Sequence, residues 1–181
     1  MLDNQLIKEI IVIIKAGLTA AGAPYSALLV KQSNQPTQQG VPTKSTVFLT
    51  KLFDHRHGSL RRDDVWDLDL EKMFHTETQI YETTFQIEAL AIQNPADVNS
   101  LTASDIVNRV AAILQSDTAL TSFWDKDIGI ERIEEIRNPY FQDDKQRNEA
   151  SPSFDFILTH KQVIITESPI VEDITYNFNR V

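Results

Sequence analysis

The chain has 181 residues, 41% of them hydrophobic, with 17 basic against 26 acidic side chains and a formal net charge of −9. That length fits one domain with a real core, which excludes wholesale disorder, and the interspersed acidic charge argues against gripping nucleic acid by its phosphates. No cysteine is present, so disulfides and thiolate metal sites are ruled out.

In chain order, Asp3 or Asn4 can cap a first helix running to about Ala21, with Leu6, Ile7, Ile10, Ile11, Ile14 and Leu18 as an apolar stripe. Val12 and Ile13 widen the stripe, and Gly22 and Pro24 stop the helix. The apolar run Ile10–Ile14 is far shorter than the ~20 residues needed to cross a bilayer, so the expectation is a soluble, unprocessed chain with no membrane partner. Ser26 to Val30 reads as a short strand, and Gln32 to Pro42, polar and broken by two prolines, as a loop or extended arm. Thr46 to Leu52 is the next strand. The charged connection from Asp54 to Thr78 exceeds an ordinary hairpin loop and reads as a protrusion that meets a neighbour, or as a solvated hairpin tip.

From Gln79 to Ile92 a strand alternates with period two. Tyr81, Phe85, Ile87 and Ala89 fall on one face, and Glu82, Thr84, Gln86 and Glu88 on the other. Thr102-Ala103-Ser104-Asp105 has the form of a capping box and opens a helix carrying Ile106, Val110, Ile113 and Leu114. Asp117 can cap a further helical turn with Leu120, Phe123 and Trp124. Ile128 to Arg137 reads as a bent or bulged strand, and Asp143 to Ala150 as an exposed polar loop. Phe154, Phe156 and Leu158 mark another strand, and Ile170, Ile174, Tyr176 and Phe178 a last one. The expected fold class is α+β: a mostly antiparallel sheet with helices on one face and a long β-hairpin or arm at 54–78, all within one domain spanning 1–181.

Few residues suit covalent chemistry. His55 and His57 could share a face and bind a metal, with Asp63 and Asp64 as conceivable further ligands, but no third ligand has motif spacing. His75 and His160 stand alone. There is no Gly-x-Ser-x-Gly elbow, and the five glycines form no phosphate-cradling array. Neither Asp63-Asp64 nor Glu134-Glu135 shows the opposed environments that an acid and a base require. The expectation is a protein that is not an enzyme, with no catalytic residue, cofactor or metal.

Four stretches carry a resemblance. They are Asn34-Gln35-Pro36 leading through Val41-Pro42 to Val47-Phe48-Leu49; Glu82–Ile87 running on to the capped helix that ends Ala112-Ile113-Leu114-Gln115; the isoleucine-rich strand closing Ile136-Arg137-Asn138; and Pro152 to His160. In this order, over most of the chain, they resemble the phage tail-terminator or neck-terminator family, which caps the tail tube and joins it to the head. The charged segment 54–78 departs from that pattern. The resemblance implies a non-catalytic subunit of the virion neck or tail, assembled in the host cytoplasm as a hexameric ring. It also implies a tail-tube protein on one side, a head-completion or connector protein on the other, and DNA passing through the lumen without specific binding. A closed ring needs two different patches per subunit, and aromatic and Arg residues concentrate interface energy. Arg61, Arg62 and Trp66 in the arm, with Tyr140 and Phe141, are the candidate interface residues. A head-completion adaptor or a tail-tube subunit remains an alternative, and from another class a metal-dependent enzyme or ligand-binding module using His55 and His57.

Overall fold

The computed structural model of the protein describes residues 2–33, 43–92, 96–133, 135–142 and 148–168, with 140–142 and 148–150 described by backbone alone. The strand expected over 170–178 and most of the loop from Gln32 to Pro42 lie outside these residues, as do residues 143–147 of the 143–150 loop.

Helix α1 spans Asp3–Ala20 and buries Leu6, Ile7, Ile10, Ile13, Ile14 and Leu18. Ile13 takes the place expected for Ile11, which is only partly buried, while Val12 stays 48% exposed. The helix start also differs from expectation. Leu2 occupies the capping position and its amide donates to Gln5 Oε1 at 3.0 Å, because the Asp3 carboxylate is engaged by Lys51 at 2.8 Å instead. After Gly22 the chain makes a 3-10 turn at Tyr25–Ala27, where a strand was expected. Strand β1 (Leu29–Gln32) begins only where Leu29 can pair, in parallel, with Thr46 of the next strand.

Strands β2 (Thr46–Asp67) and β3 (Lys72–Leu90) form one antiparallel hairpin far longer than either expected strand. Helix α2 (Ala103–Leu114) opens on the expected capping box. The Thr102 hydroxyl accepts from the Asp105 amide at 3.1 Å, and the Thr102 amide donates to the Asp105 carboxylate at 3.0 Å. Helix α3 (Asp117–Trp124) is capped by Ser116 rather than Asp117; the Ser116 hydroxyl accepts from the Ala119 amide. Phe123 is buried and Trp124 is 71% exposed, since the short helix offers only one face to the core.

The bent strand expected over 128–137 contracts to β4 (Gly129–Ile130), followed by a single bridge from Arg137 to Ser153. The expected 143–150 loop instead contributes β6 (Asn148–Ala150), paired with β5 (Tyr140–Gln142) in a separate small sheet. Strand β7 (Ser153–Ser168) completes the main sheet, whose order is β1-β2-β3-β7-β4.

The expected inward face of β3 is the observed one from Phe85 to Ala89, whereas Tyr81 is only partly buried, beside Arg56 and His160 and away from the core. Phe85, Ile87 and Ala89 are buried opposite Val47 and Leu49 of β2 and opposite Phe154 and Phe156 of β7, under the helices. Phe85 and Phe156 stack with ring centroids 5.7 Å apart. Burying each such ring stabilises the fold by about 1.5–3 kcal/mol. Thr84, on the opposite face, is also buried. α1 and α2 meet at Gly17, where a Cβ would lie 2.3 Å from a methyl of Ile113; only glycine admits this approach.

Candidate assembly interface

Half of the main sheet carries no helix. From Phe53 on β2, below Thr83 on β3 and past His160 on β7, the three strands continue as an arm whose outer strands are almost wholly exposed. The described part of β3 in this arm, Lys72–Glu82, extends roughly 35 Å at ~3.3 Å per residue. The sequence explains its persistence. Runs such as Phe74-His75-Thr76-Glu77-Thr78-Gln79-Ile80-Tyr81 and Gln162-Val163-Ile164-Ile165-Thr166 are dense in β-branched and aromatic residues and contain neither Pro nor Gly. The hairpin closes at its tip through Asp67, whose carboxylate accepts from the amides of Asp69 at 2.9 Å and Leu70 at 3.0 Å. Midway, a register shift between His57 and Arg61 is absorbed at Gly58, whose φ of 69° suits a residue without a side chain.

Cross-strand pairs tie the arm together. Arg62 reaches Glu77 at 3.0 Å, Lys72 reaches Glu167 at 2.9 Å, and His57 Nδ1 lies 2.8 Å from Glu82. His75 stands alone in the sequence but not in the fold, with Nδ1 2.7 Å from Asp64 of β2 and Nε2 3.0 Å from the Ser168 hydroxyl of β7.

The base of the arm holds a second polar group. Lys51 bridges Asp3 of α1 at 2.8 Å and Asp54 at 2.6 Å. Asp54 also accepts from the Thr83 hydroxyl at 2.7 Å. That hydroxyl has one proton and gives it to Asp54, so its 3.0 Å contact with His160 requires Nε2 of the imidazole to donate. His160 Nδ1 is then the acceptor nitrogen, and it is buried without a partner among the described residues. Burial holds His160 below the usual histidine range. Burial also works against the charges of Lys51 and Asp54, yet their mutual ion pair and hydrogen bonds prevail: Lys51 is raised and Asp54 lowered. His160 likewise stood alone in the sequence; its only available signal was the strand pattern that sets it opposite Tyr81, on which it stacks at 5.8 Å.

The predicted interface residues divide between surfaces. Pairing puts Arg61 opposite Thr78 and Arg62 opposite Glu77, so the two arginines project from opposite faces of the arm. Their side chains are 75% and 74% exposed. Trp66, opposite Met73 and 43% exposed, shares the Arg62 face. Tyr140 and Phe141 belong to the separate β5–β6 sheet. His55 and His57 do share a face, opposite Glu82 and Ile80, but no group of three or more potential metal ligands is gathered among the described residues. Sequence reasoning missed the exposed apolar residues of the arm: Val65, Ile80, Val163, Ile164 and Ile165, each at least 42% exposed. Lys161 to Ser168, read as a continuation of the Phe154 strand, would have revealed three of them.

The described fold is a helix-backed, mostly antiparallel sheet extended into an exposed arm. It is similar to the solved structure of the sheath/tube terminator of the extracellular contractile injection system PVC, in its extended state, with a TM-score of 0.52 and 10% identity. The likeness covers 96% of this chain and 63% of that one, so the chain spans less than two thirds of that protein's length. No curated protein matches the chain in sequence. Residues 5–170 match the family model described as E217 gateway protein gp29, and the chain belongs to that family.

Proposed function

We propose that this protein is a structural component of the phage neck and tail, which assembles rather than catalyses. It forms a hexameric ring on the last ring of the tail tube, stops tube growth and presents its other side to the head-completion or connector protein. Membership of the gateway-protein family over residues 5–170 carries this reading. The terminator-like fold and the arm support it further.

The arm suits a cyclic assembly because its two faces differ. One offers Arg62 and Trp66, the other Arg61 with Ile80, Val163 and Ile165. A ring requires such a pair of unlike patches, each meeting the other on the next subunit. Tyr140 and Phe141 supply a further contact outside the arm. The net charge of −9 fits a lumen that lets DNA slide past without holding it. Virion particles are the expected location, after assembly in the host cytoplasm.

Electron microscopy of the purified protein mixed with tail tubes tests the proposal. Rings seated on tube ends, with tubes of fixed length, are expected. Twelvefold rings would instead identify a head-completion adaptor, and long polymers of the protein alone a tube subunit.

A further inference from the structure

The tip of the arm holds apolar side chains that its own chain leaves in water. Leu68 and Leu70, in the turn between β2 and β3, are 82% and 58% exposed. Carboxylates alternate with them, at Asp67, Asp69 and Glu71. The Asp67 carboxylate is engaged within the turn by the amides of Asp69 and Leu70, which fixes the tip's shape before any partner arrives. The carboxylates of Asp69 and Glu71 have no cationic partner among the described residues.

A second surface has the complementary chemistry. Helices α1, α2 and α3 leave between them an open, mostly apolar groove of about 650 Å³. Val12, which stays outside the core, lines it together with the small side chains of Ala16 and Ala112. The widened stripe of α1 thus serves two neighbours: Leu6, Ile10 and Ile14 are fully buried in the core, while Val12 and Ala16 face the groove. Among the described residues the groove's charged lining is Arg109 and Lys126, both cations. Lys126 pairs with Glu9, whereas the Arg109 guanidinium lies 5.3 Å from the Tyr25 ring and has no carboxylate partner among the described residues.

We propose that the arm tip of one copy docks in the helix groove of a second copy, with Leu68 and Leu70 on the apolar floor and Asp69 and Glu71 beside Arg109 and Lys126. A chain's tip does not meet its own groove, because the arm carries it roughly 35 Å from the helix-covered half of the sheet. The small side chains leave room for two leucines, whose burial removes apolar surface from water. The opposite charges set the orientation of the tip and speed the encounter. Each copy offers one tip and one groove, so the contact passes from subunit to subunit until a rotation closes it. In the hexameric ring proposed above, tip and groove are a second pair of unlike patches beside the two faces of the arm, and their role there rests on that reading.

The chain has no cysteine, so two introduced thiols report on the contact directly. Leu70 and Ala112 are both exposed, and neither substitution disturbs the core. Oxidation of the full-length Leu70→Cys/Ala112→Cys variant is expected to give a ladder of covalent multiples of 20.6 kDa on non-reducing gels, while each single variant stays at the monomer mass. Adding Arg109→Glu sets like charges against the tip and is expected to remove most of the ladder. Absence of the ladder, while the wild type still forms rings in electron micrographs, would overturn the tip contact and leave the ring standing. A ladder running well past six would support the contact and contradict the ring. Neither ladder nor ring would overturn both. Single variants that cross-link as readily as the pair, or a ladder indifferent to Arg109→Glu, would reduce the bonds to random collision and overturn the contact.

Discussion

The Thr83 hydroxyl donates to the Asp54 carboxylate at 2.7 Å while accepting from His160 Nε2 at 3.0 Å, at the point where the helix-covered sheet becomes the arm. Thr83 and His160 are both buried, so neither group has water to replace a lost partner. Thr83→Val keeps the shape and removes the hydroxyl. The buried imidazole N–H is then left unpaired, and the expected cost is about 1–3 kcal/mol, read as a lowered denaturation midpoint.

The same group makes stability depend on pH. Burial depresses His160 in the folded state, so below its usual value of about 6.5 the unfolded chain binds the proton first. Stability therefore falls as pH drops through the interval between that value and the lower folded one. Asp54 is lowered, so its contribution is present above its usual value of 3.8 and is lost in more acid solution. Lys51 is raised, so its contribution is present below its usual value of 10.5 and is lost as pH rises through the folded value. His160→Gln is expected to flatten the upper acid step while leaving the lower one, as measured by chemical denaturation across the acid range.

Phe85 is fully buried and stacked on Phe156. Phe85→Asp places a charge where no partner exists and is expected to abolish folding, at a cost above about 3–5 kcal/mol. Near-native melting by circular dichroism would mean that the sheet faces are assigned the wrong way round.

Gly17 sets the distance between α1 and α2, because an added methyl would lie 2.3 Å from Ile113. Gly17→Ala is expected to destabilise by about 1–3 kcal/mol through this overlap, although alanine favours helices. Pairing it with Ile113→Val is expected to recover part of the loss in thermal melts.

Much of the fold was legible because the core follows simple periods. Phe85, Ile87 and Ala89 alternate, Ile106, Val110, Ile113 and Leu114 recur at helical spacing, and Thr102 with Asp105 marks a helix start. The arm was legible as a protrusion but not as strands. Its residues answer to no core, so Asp54 to Asp67 shows charges on both faces and no alternation to read. Lys51, Asp54, Thr83 and His160 come together only through the register of three strands, which local sequence does not encode. Ser26 to Val30 misled because apolar content alone cannot say where a strand's partner begins.

Cryo-electron microscopy of tube ends incubated with the purified protein tests the central claim most directly. The account predicts one ring per end, of six subunits and six times the 20.6 kDa chain mass, with the arms between neighbouring subunits. Bare tube ends beside a protein that stays monomeric at high concentration would contradict it.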